Sequence, residues 1–209
     1  HMSWNYHAIP YFILLGILAG MNSVYITKCV LFFKSTFAKL NQDYYKVFIG
    51  SLILSVSLYF IPQLYGDGYH AVKEILHHEV PFTLSLLITT LTIIILKPII
   101  TSVTLASGGD GGVFAPSLFV GAFLGFILSN ILNTYFNAGV IPLNFIIMGM
   151  AAVLSASIHA PFTSLFLVCG VTGNYTLFVP LLGVCLIAKY TSKFLYPYTV
   201  YSIIPATVK

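Results

Sequence analysis

The chain contains no arginine, and only 7% of its 209 residues are charged: nine lysines against five acids. A soluble domain carries about a quarter of its residues as Asp, Glu, Lys or Arg, because its surface faces water. A chain this poor in charge cannot cover a globule of its size. A water-soluble fold is therefore excluded, and lipid is the solvent for most of the surface. The missing arginine also argues against a nucleic-acid partner, since its planar fork is the usual bidentate reader of phosphate and guanine. The lysines are scattered, and the net charge of +4 fits loops lying near lipid headgroups.

Cysteine is scarce as well. Cys29, Cys169 and Cys185 lie in apolar runs with no C-x-x-C spacing, which leaves them as small buried hydrophobes and no metal site. No secretory leader pattern is visible, and the opening His1-Met2 looks like a cut edge or an expression remnant. No low-complexity segment and no internal repeat is found. The 209 residues read as a single transmembrane domain, 1–209, with residues 1–2 set apart and no cytoplasmic regulatory domain.

What is present is apolar: 58% of the chain. Apolar stretches fall at about 9–33, 47–62, 82–106, 113–133, 140–158, 160–170 and 175–190, with a terminal segment near 197–206. A helix needs about 20 apolar residues to cross a bilayer core. The first, third and fourth stretches satisfy that, whereas 160–170 and 197–206 are too short to span alone. Pro116, Pro142, Pro161, Pro180, Pro197 and Pro205 interrupt the pattern, as does the glycine cluster between Gly108 and Gly112. Short, broken segments leave backbone groups unpaired at membrane depth, and such groups persist only beside protein, water or a bound ion. The expected fold is an all-α integral membrane protein, a bundle of tilted, partly discontinuous transmembrane helices. Ordinary helices kinked by proline are the alternative. Lys28 to Lys46, with four lysines and one acid, reads as a cytoplasmic loop by the positive-inside tendency. Tyr65 to Glu79 reads as an amphipathic, partly re-entrant helix.

The chemistry concentrates in Ser107-Gly-Gly-Asp-Gly-Gly-Val-Phe-Ala-Pro116. Glycines let the backbone turn tightly and an ion approach closely. Where such a loop opens a helix, the first N–H groups have no intrahelical partner and sit at the positive end of the helix dipole. Together they make an anion site without a basic side chain. Partial charges suit passage, because a fixed lysine or arginine in a low-dielectric pore would hold chloride too strongly to release it. No Gly-Lys-Ser/Thr follows and no strand precedes, so neither a P-loop nor a dinucleotide fingerprint is present.

Gly112-Val-Phe-Ala-Pro116 resembles the G-x-F-x-P signature of the CLC family of voltage-gated chloride channels and chloride/proton antiporters. The likeness continues through Ser117-Leu-Phe-Val-Gly-Ala122. It also takes in Gly66-Asp-Gly-Tyr69, Lys97-Pro98, Gly149-Met-Ala-Ala152, His159-Ala-Pro161, Thr172-Gly-Asn-Tyr175 and Val200-Tyr-Ser202. Order and spacing agree over essentially the whole chain.

The resemblance implies the second inverted repeat of the CLC fold, the C-terminal half of a pore domain that assembles as a homodimer. It implies a transporter of chloride, with or without protons, and not an enzyme, in a bacterial inner membrane. No cofactor is implied; chloride is the transported ligand. The anion-binding amides would be those of Val113 and Phe114, in a loop formed by Gly111, Gly112, Ala115 and Pro116. The hydroxyl of Tyr201, or failing that Tyr198, would complete the site as a neutral donor. An interfacial Tyr is the bland reading of either. Two family motifs of the first half, G-S-G-x-P and the gating-glutamate motif G-[KR]-E-G-P, do not occur in these residues. Two departures stand inside the match. Asp110 places a carboxylate beside the anion loop, as a helix cap or facing a vestibule, and Gly170 stands where many relatives carry glutamate. The family topology would also put the Lys28–Lys46 loop outside, against the charge rule.

Other candidates are weaker. Lys97 lies deep in an apolar run, where a cation is a functional suspect: it can raise the local potential for anions, or simply snorkel or pair with a carbonyl. His70, His77, His78 and Glu79 match no zinc spacing. Ala106-Ser107-Gly108 has a faint similarity to the nucleophile motif of rhomboid intramembrane proteases, with His159 as the imagined base. Leu105 replaces that motif's first glycine. A sodium-coupled transporter with broken helices has no motif here.

Overall fold

The computed structural model describes residues 6–65, 83–173 and 175–202. Among these residues the secondary structure is helical throughout. The elements are α1 (Ile9–Phe37), α2 (Asp43–Phe60), α3 (Leu84–Ala106), α4 (Phe114–Phe136), α5 (Pro142–Ile158), α6 (Pro161–Thr172) and α7 (Phe178–Leu195), with single 3-10 turns at Tyr6–Ala8 and Pro62–Leu64. Four helical segments are long and apolar enough to cross a membrane: Tyr6–Phe37, Leu84–Ala106, Phe114–Phe136 and Phe178–Leu195. The chain is an all-α integral membrane protein. Phe194 and Tyr59 stand 90% and 81% exposed, which water would penalise and lipid does not.

The prolines decide between broken and kinked helices. Pro142 and Pro161 stand at the first positions of α5 and α6, where a missing N–H costs nothing. Among the described helices Pro98, in α3, is the proline recorded inside a helix. The prolines therefore mostly begin helices instead of bending them. At about 1.5 Å per residue, α6 with its 12 residues is far shorter than the roughly 30 Å bilayer core. It exists by packing on α5 and α7.

The core is built around α5. Every residue from Asn144 to Ser157 is buried, and the helix packs against α4, α7, α1 and α6. Small residues set the spacing. Gly121 and Gly125 on α4 meet Gly149 and Phe145 on α5 so closely that a Cβ on either glycine would overlap a backbone carbonyl. This is the small-xxx-small device by which membrane helices gain van der Waals contact. A similar approach joins α1 to α7, where a Cβ on Gly20 would lie 2.7 Å from the Ala188 oxygen. Ser155 on α5 donates to the Cys185 carbonyl at 2.9 Å, satisfying a hydroxyl that is fully buried.

Several expectations change. α1 runs to Phe37, so Lys28 and Lys34 are helix residues and the polar link shrinks to residues 38–42. The polar spacing of lysines does not break a helix, because their long stems lie along its surface. Asp43 opens α2, where a carboxylate is favoured by the dipole. It accepts from Lys46 Nζ at 2.8 Å, which holds its carboxyl below the usual carboxylate range. The terminal stretch is non-helical from Tyr196 to Ser202, closing in a Thr199–Ser202 turn. Gly66–Tyr69, the remainder of the expected re-entrant segment through Glu79, and the histidines at 70, 77 and 78 lie outside the described residues.

Candidate functional site

The two ends of α4 are finished differently. At its C-terminus Asn137 takes the left-handed conformation with φ 46°, and the Ala138 amide returns to the Leu132 carbonyl at 3.2 Å. Asn133 clamps the link to α5 by two 2.8 Å bonds: its side-chain amide donates to the Val140 carbonyl, and its oxygen accepts from the Val140 amide. Nothing comparable closes the N-terminus. Val113 is the cap residue, and its apolar side chain offers no acceptor, so no side-chain cap bond forms. The first amide of the helix with a backbone partner is that of Ser117, donating to Val113 at 3.0 Å. The Phe114 and Ala115 amides have no acceptor four residues back, and Pro116 has no N–H to satisfy. Among the described residues, the opening turn of α4 therefore presents N–H groups without an acceptor at the positive end of a 23-residue helix.

The loop before it holds that mouth open. α3 ends with the Ser107 amide bonded to Val103 and the Gly109 amide to Thr104, around Gly108 with φ +92°. Only glycine takes that conformation without strain. Gly111 and Gly112 are exposed, and a Cβ built on Gly112 would lie 4.0 Å from the Phe114 nitrogen. That glycine keeps the approach to the amides clear.

Beside the loop lies a cavity of about 420 Å³. Gly111, Gly112, Ala115 and Pro116 line it, together with Lys97, Thr101, Thr104 and Asp110. Four of the expected loop residues are thus gathered in one place. Val113, Phe114 and Tyr201 are not among its described lining residues. The Val113 side chain turns into the core, while Phe114 is 38% exposed. Tyr201 is exposed in the Thr199–Ser202 turn, where its amide donates to the Thr199 hydroxyl at 3.3 Å. Partial burial pushes its phenol up from the usual tyrosine range. Tyr198 is half-buried, with its ring 5.3 Å from that of Tyr196.

Asp110 does not cap α4: no side chain does. It is exposed on the cavity wall instead, three residues short of the cap position. Lys97 does not snorkel. It is 2% exposed, donates to the Leu64 carbonyl at 2.9 Å, and lies 5.0 Å from the Phe119 ring centroid. The protease arrangement is absent among the described residues. The Ser107 hydroxyl donates to the Thr104 carbonyl at 3.0 Å, and His159, the left-handed C-cap of α5, has its Nε2 buried without a partner. The polar wall of the cavity was not foreseen, although a signal existed. Lys97, Thr101 and Thr104 stand at i, i+4 and i+7 of an apolar helix, one polar stripe on one face.

Fold and site define a polytopic helical membrane protein of discontinuous helices, with an uncapped helix start at a glycine-rich mouth. The chain belongs to the voltage gated chloride channel family, which matches residues 1–193. Over 154 residues it is 34% identical to the voltage-gated ClC-type chloride channel ClcB of Escherichia coli (strain K12 / DH10B), covering 73% of this chain and 36% of ClcB. Its fold is similar to that of a slow cyanobacterial Cl-/H+ antiporter, with a TM-score of 0.80 and 24% identity over 95% of this chain and 46% of the antiporter. It is likewise similar to a CLC-type fluoride/proton antiporter, with a TM-score of 0.77 and 20% identity over 96% of this chain and 47% of that one. At these identities the structural likeness is one of fold. The chain spans about a third of the length of the curated relatives it matches.

Proposed function

We propose that the chain supplies one wall of an anion pathway through a membrane, as part of a chloride channel or chloride/proton antiporter. The observation that carries this reading is the start of α4. Among the described residues its first amides lack intrahelical and side-chain acceptors, and exposed glycines clear the approach. A halide there is held by partial charges, weakly enough to leave again. The Val113 and Phe114 amides are the ligands, and the Tyr201 hydroxyl is the neutral donor that completes the set. Family membership and the ClcB relatives support anion transport as the activity and a bacterial inner membrane as the location. A homodimer is the assembly the CLC resemblance implies.

The test is chloride efflux from proteoliposomes containing the complete pore, together with chloride binding by calorimetry. Tyr201→Phe removes one hydrogen bond to a charged acceptor, of about 1.5–3 kcal/mol, so chloride affinity should fall at least roughly tenfold while the protein stays folded. A complete pore without halide-selective flux, or Tyr201→Phe binding chloride as tightly as wild type, would count against this assignment.

A further inference from the structure

α1 and α7 end on the same side of the bundle. Gly16 of α1 meets Val184 and Ile187 of α7, and Gly20 meets Ala188 and Thr191, so the two helices run in the same direction. Lys28 of α1 accordingly stands 5.6 Å from the ring centroid of Tyr196, just past the end of α7. At about 1.5 Å per residue, the 18 residues of α7 roughly match a bilayer core of about 30 Å. Its last turn therefore lies at headgroup level, where tyrosine and lysine collect. Lys193 is exposed there, and Lys189, one turn deeper, is half-buried with its ammonium 5.7 Å from the Tyr190 ring centroid. The charges of both lysines reach His159 at the α5–α6 link, whose Nε2 is buried without a partner among the described residues. Like charges one turn apart on a helix repel. Among the described residues the ion pair is Lys46–Asp43, so no described carboxylate offsets Lys189 or Lys193.

We propose that Lys189 and Lys193, with His159 beside them, hold the phosphate of an anionic phospholipid at the rim of the bilayer. The inference goes beyond the anion pathway and does not depend on it. A phosphodiester supplies the negative charge that the described protein groups do not, and its oxygens accept charge-assisted bonds from both ammoniums. A lysine stem lets Lys189 reach headgroup level from its deeper turn. Apolar surface continues the strip. Tyr190 and Phe194, each next in sequence to one of the lysines, stand 62% and 90% exposed. A free phosphate leaves those rings uncovered, whereas a lipid lays an acyl chain against them while its headgroup meets the charges. Lys28, Lys34 and Lys39, exposed along the last turns of α1 and just beyond it, extend the basic surface at the same end. Lysines so placed are drawn to an anionic leaflet.

Thermal midpoints of the purified chain in a neutral detergent, titrated with phosphatidylglycerol or phosphatidylcholine, give an apparent affinity for each lipid. Phosphatidylglycerol should raise the midpoint well above phosphatidylcholine, and added salt should shrink the difference. Lys189→Gln or Lys193→Gln should weaken the apparent affinity roughly fivefold, and the two together roughly 25-fold. Lys189→Arg with Lys193→Arg keeps both charges and should stay near wild type. Lys46→Gln, whose charge is already held by Asp43, should change little. Native mass spectrometry of retained phosphatidylglycerol gives a second readout that does not depend on melting. Equal response to the two lipids overturns the inference, as does an undiminished phosphatidylglycerol response in the double Gln variant. Glycerol phosphate alone raising the midpoint as far as phosphatidylglycerol would mark a soluble-phosphate site instead. A midpoint that climbs with protein concentration and not with phosphatidylglycerol would assign the strip to a second copy of the chain, which also overturns it.

Discussion

At the scale of single residues, Gly112 makes the clearest demand. Its φ lies outside the left-handed region and a Cβ there meets nothing closer than the Phe114 nitrogen at 4.0 Å, so the backbone does not require glycine. On the proposed reading the reason for it is the ion, since a side chain would stand over the amide mouth. Gly112→Val is therefore expected to leave the thermal midpoint within a few degrees, because surface changes away from the core stay within about 0.5 kcal/mol. Chloride affinity should fall at least tenfold, read by calorimetry on the same preparation. Gly108 is the contrast: with φ +92° any other residue is strained there, and both readouts should suffer. The glycine cluster made this region legible in the sequence, because only a backbone that must turn or be approached needs so many. Asp110 was harder to place. Whether an acid in a loop caps a helix depends on where the helix begins, and an apolar Val113 gives no sign that it takes the cap position.

At the scale of elements, the α4–α5 pair tests the packing. A Cβ on Gly125 would overlap the Phe145 carbonyl, and neither backbone can retreat from a helix buried along nearly its whole length. Gly125→Ala should cost about 1–3 kcal/mol as overpacking, seen as a lower thermal midpoint in detergent. Gly170→Ala, with nothing within 4 Å of its Cβ, should be neutral or slightly stabilising, since alanine favours helix by up to about 1 kcal/mol. Equal melting of the two variants would refute this account of the interface. The order of the described helices was readable from apolar runs and prolines, because both act locally, whereas the terminal run near 197–206 is non-helical over its described residues. Helix ends were less so: α1 passes its last predicted residue by one turn, to Phe37. The three-way link from Lys97 to Leu64 and Phe119 could not be read, because it joins residues brought together only by tertiary packing.

At the scale of the whole molecule, the question is how much of a pore these helices can enclose. The described polar wall of the cavity comes from α3, the glycine loop and the first turn of α4, and its other described lining residues are mainly leucines of α2 and the turn after it. A selective pathway needs donors converging on the ion from several directions, since a single row of amides cannot replace its hydration shell. The ClcB relatives are almost three times as long as the segment they share with this chain, which is 36% of their length, and the G-S-G-x-P and gating-glutamate motifs are absent from these 209 residues. The expected outcome is that liposomes containing this chain alone show no halide-selective flux. Co-reconstitution with the first half of a CLC pore domain should restore flux, and Gly112→Val should weaken it again. Robust chloride selectivity from the chain alone would mean that the amides of α4 suffice, and that the opposite wall contributes nothing to choosing the ion.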